Sequence, residues 1–142
     1  MKIISLIILI SGILRFLCFG QNSDTTIYVN PENQPTFKYD TCANLKSSVK
    51  SYFMENYKMP EMLISNGYSG SIYIEFVIEK DGSLSNINII RGIDDPLDKS
   101  IIETIKLMSK WEPGINNGEI VRTKIVIPVS IRWLYGKNEI EE

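Results

Sequence analysis

The sequence contains no histidine and only two cysteines, Cys18 and Cys42. Without histidine there can be no Ser–His or Cys–His nucleophile pair and no His-ligated metal site, and two cysteines are too few for a four-ligand zinc site. The sequence also has no excess of basic residues, because it contains 15 basic and 17 acidic residues and has a net charge of −2. We therefore predict no cofactor, no metal and no nucleic-acid partner.

Long hydrophobic runs are also scarce. The most prominent is Ile3–Leu14, which directly follows Lys2 in the sequence. A run of about twelve residues suits a signal peptide and falls short of the ~20 that span a bilayer. Arg15 then interrupts it. We predict a signal peptide over residues 1–20, cleaved near Gly20, and a periplasmic or secreted product.

Two alternatives for the N-terminus stay open. Residues 3–19 could remain as an uncleaved membrane anchor, or Cys18 could carry a lipid, although the preceding Leu17 is larger than acylation sites favour. After cleavage Cys42 would be the single cysteine, which excludes an intramolecular disulfide. We interpret Cys42 as a small packing residue rather than a reactive thiol.

The length of 142 residues, 44% of them apolar, allows one domain with a real core. We predict a flexible polar lead-in over residues 21–34, a folded domain over 35–134 and an acidic tail over 135–142. The lead-in is polar and contains Pro31, which is typical of a segment without regular structure.

Two helices are predicted from apolar spacing. The first spans Ala43–Tyr57, with Asp40 or Thr41 as its N-cap. The second starts at Asp95 as N-cap, has proline at its first position and ends at Trp111.

Three strands are predicted from alternation with a period of two. Ile72 to Ile78 form the first, Asp81-Gly82 supplies a tight turn, and residues 85–91 return. The last strand spans residues 120–133 and contains Pro128, which predicts an edge position because proline cannot donate to a ladder. The expected fold is α+β: a three-stranded antiparallel sheet in the order last–first–second, with two helices packed on one face.

The sequence motifs that could indicate catalysis or cation binding are weak. The Ser47-x-x-Lys50 spacing lacks the companion motifs of acyl-transfer enzymes and is better read as an exposed helix face. An acidic cluster, formed by Asp94, Asp95, Asp98 and Glu103, is better explained by helix capping than by a cation site. We therefore predict no enzyme; a small secreted enzyme using Lys50 or Asp98 in proton transfer is the minor alternative.

Several segments between Asn56 and Arg132 resemble one known family. The resemblance is carried by Met59-Pro60, Gly70–Phe76, Asp81-Gly82-Ser83, Leu97-Asp98, Lys110-Trp111-Glu112-Pro113-Gly114, Asn117-Gly118 and Ile127-Pro128-Val129. Together they are similar to the C-terminal domain of TonB, which couples inner-membrane energy to outer-membrane receptors. The predicted order of elements agrees with that family's fold.

The resemblance implies a non-enzymatic protein-binding module with a role in TonB-linked envelope transport. The family pairs an extended receptor segment with its last strand, so backbone groups at a free edge are completed by the partner. The implied partner-binding residues here are Arg122, Lys124, Val126 and Arg132. An ordinary solvated strand face with protective charges is the alternative for these residues, and a homodimer or an assembly component of an envelope complex is the alternative function.

Three departures from the family accompany the resemblance. Met59 stands where a tyrosine is usual, the chain lacks the histidine of the family's membrane anchor, and residues 21–34 reach at most ~50 Å when extended. That reach is too short to cross a periplasm. We therefore expect an exported stand-alone domain rather than a complete energy transducer.

Overall fold

The structure, a computed structural model, describes residues 25–39, 44–109 and 111–135. The predicted signal peptide, Cys18, Cys42 and the tail beyond Tyr135 lie outside these residues. The described elements are, in order, β1 (Ile27–Tyr28), β2 (Thr36–Phe37), α1 (Leu45–Asn56), α2 (Glu61–Ile64), β3 (Ser71–Ile78), β4 (Leu84–Arg91), α3 (Asp95–Lys106), β5 (Trp111–Glu112), β6 (Gly114–Asn116), β7 (Glu119–Ser130) and α4 (Ile131–Tyr135).

The sheet is larger and more mixed than the sequence predicts. Its centre has the expected order, because β7 and β4 both pair antiparallel with β3. However, β1 pairs parallel with β7 and β6 pairs with it as well, which makes five strands, while β2 and β5 form a separate pair. The prediction of a three-stranded, wholly antiparallel sheet is therefore corrected to a mixed five-stranded one.

The core follows from the alternation in β3. Its even-numbered side chains, Ile72, Ile74, Phe76 and Ile78, are fully buried. They join one hydrophobic cluster with Phe53 of α1 and Ile101 of α3, so both long helices cover the same face of β3. Burying such a side chain stabilises the fold by roughly 1.5–3 kcal/mol, which makes this layer the main source of stability.

Trp111 was predicted to end the second helix, but it lies in β5. The helix ends earlier, at Lys106, where the Leu107 N–H turns back to the Thr104 carbonyl. Trp111 instead stacks on Phe37 of β2 at 4.8 Å and meets Phe76 edge-on at 5.4 Å between ring centroids. The indole therefore links the small β2–β5 pair to the main core.

The helix caps also differ from expectation. Asn44 caps α1 by accepting the Ser47 N–H at 3.0 Å, whereas the predicted caps Asp40 and Thr41 lie outside the described residues. The N-cap of α3 is Asp94 rather than Asp95. Asp95 is already the first residue of the helix, so Pro96 occupies the second helical position rather than the first.

Two segments expected to be irregular or extended have a different structure. Part of the predicted lead-in is ordered on the sheet, since residues 27–28 form β1 and Asn33 bridges to Ile115. The last strand ends at Ser130 rather than Trp133, because the Ile131 N–H donates to the Gly70 carbonyl at 3.0 Å and α4 begins there.

Candidate functional site

The pairing of β7 with β3 fixes which backbone groups of β7 face outward. The register runs without a shift from Ser71↔Ser130 to Ile78↔Thr123. The Ile131 N–H bonds to Gly70 on the β3 side, so the odd-numbered residues face β3. Pro128 agrees with this phase, because it has no N–H to give and so fits an outward position. The backbone groups of even-numbered residues therefore point to the opposite flank.

That opposite flank is largely uncovered. The register of β1 reaches only Arg122 and Thr123. Across the described ranges no strand pairs with this flank between Lys124 and Ser130, and we call residues 124–130 the open edge. Its free outward groups begin at the Lys124 carbonyl, because the parallel register sets the Lys124 N–H against the Tyr28 carbonyl. They include the N–H and carbonyl of Val126 but only the carbonyl of Pro128. The edge position inferred from proline thus holds for this stretch and not for the part beside β1.

An apolar groove lies beside the open edge, where the first turns of α1 approach β7. Its volume is about 220 Å³. The lining residues are Leu45, Lys46, Val49, Val126, Ile127, Pro128 and Trp133, and we call this feature the α1 groove. A strand added to the open edge would place alternate side chains on this side of the sheet, where apolar ones would be favoured.

Two of the four residues predicted to bind a partner lie on the open edge. Val126 is 48% exposed. Lys124 is partly exposed, and its Nζ lies 3.3 Å from a carboxylate oxygen of Glu75 on β3. Both residues direct their backbone groups outward, so the structure brings them together at one place.

The other two predicted residues flank the open edge. Arg132 is exposed in α4, beyond the end of the strand. It lines an open, mostly polar concavity with Tyr68, Ser130 and Trp133. Trp133 borders both this concavity and the α1 groove. Sequence reasoning missed Trp133 and Leu45 as site residues, because only the tertiary packing brings them to the edge.

Arg122 lies at the other end, beside β1. Its guanidinium donates to both carboxylate oxygens of Glu79, at 2.6 and 2.8 Å, and to the Thr25 carbonyl at 3.3 Å. Hydrogen bonding by Arg122 holds the pKa of Glu79 below its ordinary value, against an opposing effect of burial. This arginine therefore serves an internal ion pair at the closed end of the edge.

The acidic cluster is used in local structure. Asp94 accepts a hydrogen bond from the Tyr68 hydroxyl at 2.5 Å, and this bond raises the pKa of Tyr68. Asp98 accepts the Ile93 N–H at 3.1 Å, and Glu103 pairs with Lys106 at 2.7 Å. Within the described ranges no three His, Cys, Asp or Glu side chains gather as metal ligands.

The comparison of sequences with known families decides the identity of the fold. Residues 55–132 match the family described as Gram-negative bacterial TonB protein C-terminal. This chain belongs to the TonB C-terminal family. The matched range contains β3, β4, α3 and the whole of the open edge. Domains of this family are non-enzymatic, transport-associated components of the cell envelope, and they generally bind outer-membrane receptors.

Solved structures provide further similar proteins. The chain is 25% identical to a Helicobacter pylori TonB C-terminal domain determined by NMR in solution, covering 58% of this chain and 76% of that one with a TM-score of 0.41. A shorter fragment of the same domain is 25% identical, with 61% and 92% covered and a TM-score of 0.45. A comparison with curated proteins found no match. In the part of the chain that the structure describes, no helix has both the length and the apolar character that a membrane crossing requires.

Proposed function

We propose that this TonB C-terminal domain is a non-enzymatic binding module that recruits an extended segment of an envelope protein to its open edge. The observation that carries the proposal is the unbroken β3–β7 register with the opposite flank uncovered from the Lys124 carbonyl to residue 130. An added strand would complete the outward N–H and carbonyl groups of β7, which is the physical basis of β-augmentation.

The surroundings of the open edge supply selectivity. Backbone pairing is insensitive to sequence, whereas the α1 groove favours an apolar side chain at alternate positions of the partner. Lys124 on the edge and Arg132 beyond its end add positive charge, and Arg122 bounds the other end. Lys124 and Arg132 are proposed to favour a partner segment with acidic residues and to speed its approach, whereas the charge of Arg122 is already matched by Glu79.

The partner we propose is the segment of an outer-membrane receptor that faces the periplasm, in keeping with the family's envelope role. This placement needs export of the chain, for which the predicted signal peptide over residues 1–20 would serve. N-terminal sequencing of the exported protein tests that part: a first residue at Gln21 supports cleavage, and an intact Met1 contradicts it.

The binding proposal is tested with labelled peptides from the periplasmic segments of outer-membrane receptors, titrated by fluorescence anisotropy. Val126→Pro removes an outward N–H without touching the β3 side, so we expect at least a hundredfold weaker binding. Val126→Ala keeps that N–H and is the matched control, with a loss of less than about tenfold. Absence of binding across a receptor panel would contradict the receptor proposal.

A second candidate function rests on the same edge. Exposed backbone groups beside an exposed Val126 also suit pairing with a second copy of the chain, which would make the protein an assembly component. Light scattering over a range of concentrations separates the two functions. A monomer at every concentration contradicts self-pairing, whereas a dimer that Val126→Pro dissociates supports it.

A further inference from the structure

The short strand β1 lies on the same flank of β7 as the open edge. Ile27 is level with Arg122 and Tyr28 with Thr123, and the two strands run parallel. Because the outward groups of β7 belong to even-numbered residues, the parallel pattern sets the Tyr28 N–H against the Arg122 carbonyl. The chain's own N-terminal segment therefore pairs with β7 in the manner proposed for a partner.

The chain leaves this flank directly after β1. Val29 is 64% exposed, and a few residues later Asn33 exchanges two backbone hydrogen bonds with Ile115, at 2.9 and 3.0 Å. This second attachment holds the segment away from the open edge. The outward groups from the Lys124 carbonyl to Ser130 are left uncovered, while those of Arg122 and the N–H of Lys124 are taken by β1.

The attachment of β1 is weaker than that of its neighbours. Only two residue pairs join it to β7, whereas β3 pairs with β7 over eight. Parallel pairing is also slightly less stable per residue than antiparallel pairing. The two bonds from the Arg122 guanidinium to Glu79 involve no residue of the N-terminal segment, whereas its 3.3 Å contact is with the Thr25 carbonyl of that segment.

We infer that β1 is a displaceable internal strand that sets the length of segment the open edge accepts. A partner that pairs only with the outward groups from the Lys124 carbonyl to Ser130 binds beside β1 without disturbing it. A partner long enough to reach Arg122 must first displace Ile27 and Tyr28, and so loses affinity. This inference rests on the proposed function, because it concerns the same edge.

The test uses Tyr28→Pro in the full chain, with Tyr28→Ala as the matched control. Proline at this position removes the N–H that pairs with Arg122, whereas alanine keeps it and loses only the side chain. Loss of this bond to the Arg122 carbonyl should detach β1 and so also free the Arg122 N–H, which the parallel pattern sets against the Thr26 carbonyl. Amide hydrogen exchange without any peptide should therefore show at least tenfold faster exchange of the Arg122 N–H in Tyr28→Pro. The amides of Ile125 and Ile127, which face β3, should be unchanged, which shows that the variant remains folded.

The binding experiment uses three forms of the receptor peptide that binds the wild type with the highest affinity. One is a short form that matches the length of residues 124–130, and two are long forms extended by about four residues at either end, since strand direction is not fixed. We expect one long form to bind Tyr28→Pro about tenfold more tightly than it binds the wild type or Tyr28→Ala. The short form should bind all three proteins within about twofold.

The outcomes separate this inference from the proposed function. If the short form binds but no long form gains affinity in Tyr28→Pro, the role of β1 is wrong and the binding function stands. If no form binds the wild type or either variant, the proposed function fails and this inference fails with it. Unchanged exchange of the Arg122 N–H in Tyr28→Pro would also overturn the inference, because β1 would then not be what protects that group.

Discussion

The sheet is bounded on one side by β4 and on the other by β7 where β7 extends beyond β1, and these two edges differ in regularity. In β4 the register with β3 shifts twice, and Asn86 has a positive φ of 51°. In β7 the register with β3 has no shift over eight pairs. Bulges twist a strand and disrupt the regular row of donors and acceptors that another strand would need.

This difference shows how one small sheet can be selective about where it is extended. The irregular β4 edge disfavours an added strand. The open edge of β7, in contrast, presents its backbone groups along a strand without a register shift. Open backbone groups alone therefore do not make a binding site. The regularity of the strand decides which of the two edges can accept an added strand. Substitutions that change one edge or its surroundings therefore test this difference.

The largest effect is expected from proline at neighbouring positions of β7. Ile127→Pro removes an N–H directed at β3 and a side chain that is only 4% exposed, so we expect a loss of more than about 3 kcal/mol in the free energy of unfolding. Val126→Pro removes an N–H that points outward, so we expect the free energy of unfolding to fall by less than about 1 kcal/mol. Urea denaturation measures both, and equal losses would show that the assigned phase of β7 is wrong.

Loss of the ion pair at the closed end of the edge should have the next largest effect. We expect Glu79→Gln to lower the free energy of unfolding by about 1–2 kcal/mol at pH 7, because Arg122 loses a charged partner in a half-buried site. Arg122→Met should destabilise the protein similarly. The two changes combined should cost less than the sum of the single changes, and strict additivity in urea denaturation would contradict this coupling.

The same pair predicts a dependence on pH. The folded-state pKa of Glu79 is lowered, so its stabilising contribution is complete above the unfolded pKa of about 4.3 and is lost as the pH falls through the lower folded value. The wild type should therefore lose more stability between pH 5 and pH 3 than Glu79→Gln does. Parallel acid titrations of both proteins by circular dichroism measure this, and identical curves would argue against the contribution.

A smaller effect is expected at the irregular edge. Asn86→Thr places a β-branched residue at a positive φ and should cost about 1–2 kcal/mol, whereas Asn86→Gly, which suits that conformation, should be nearly neutral. Neither change should alter peptide binding at the open edge. Thermal denaturation with anisotropy titration checks both parts, and weakened binding would link the two edges against expectation.

The smallest effect is expected from Lys124→Gln. The Lys124–Glu75 pair is partly exposed at 3.3 Å, so its loss should change stability by less than about 0.5 kcal/mol. If the cation steers an acidic partner, peptide binding should weaken at low salt and converge with the wild type at high salt. A deficit independent of salt would instead indicate a direct packing role for the side chain.

The sequence predicted the parts of this fold that have strong periodicity. The alternation from Ile72 to Ile78 identified β3 and its buried face, and Asp81-Gly82 identified the hairpin to β4. Pro128 predicted that the last strand lies at an edge, which holds for residues 124–130 and not for the part beside β1. The match of residues 55–132 to the TonB C-terminal family confirmed the resemblance drawn from these segments.

The rest depended on contacts that no local pattern encodes. A strand of two residues such as β1 has no measurable period, so its pairing with β7 was not visible. Ile131 and Trp133 continued the alternation of the last strand, but the structure is helical there and buries Ile131 and Leu134. That spacing of three residues was the signal available for α4. The α1 groove likewise forms only when Leu45 and Trp133 meet in the folded chain.

Pro128 has one further consequence, for the behaviour of the protein when it is crowded. Stacking of identical strands into a fibril requires every N–H to bond to the chain above or below. Pro128, near the end of β7, would leave one neighbouring carbonyl without a donor in every layer of such a stack. The protein can thus keep an exposed strand available to one binding partner, while the proline disfavours the repeated stacking of identical strands that produces amyloid.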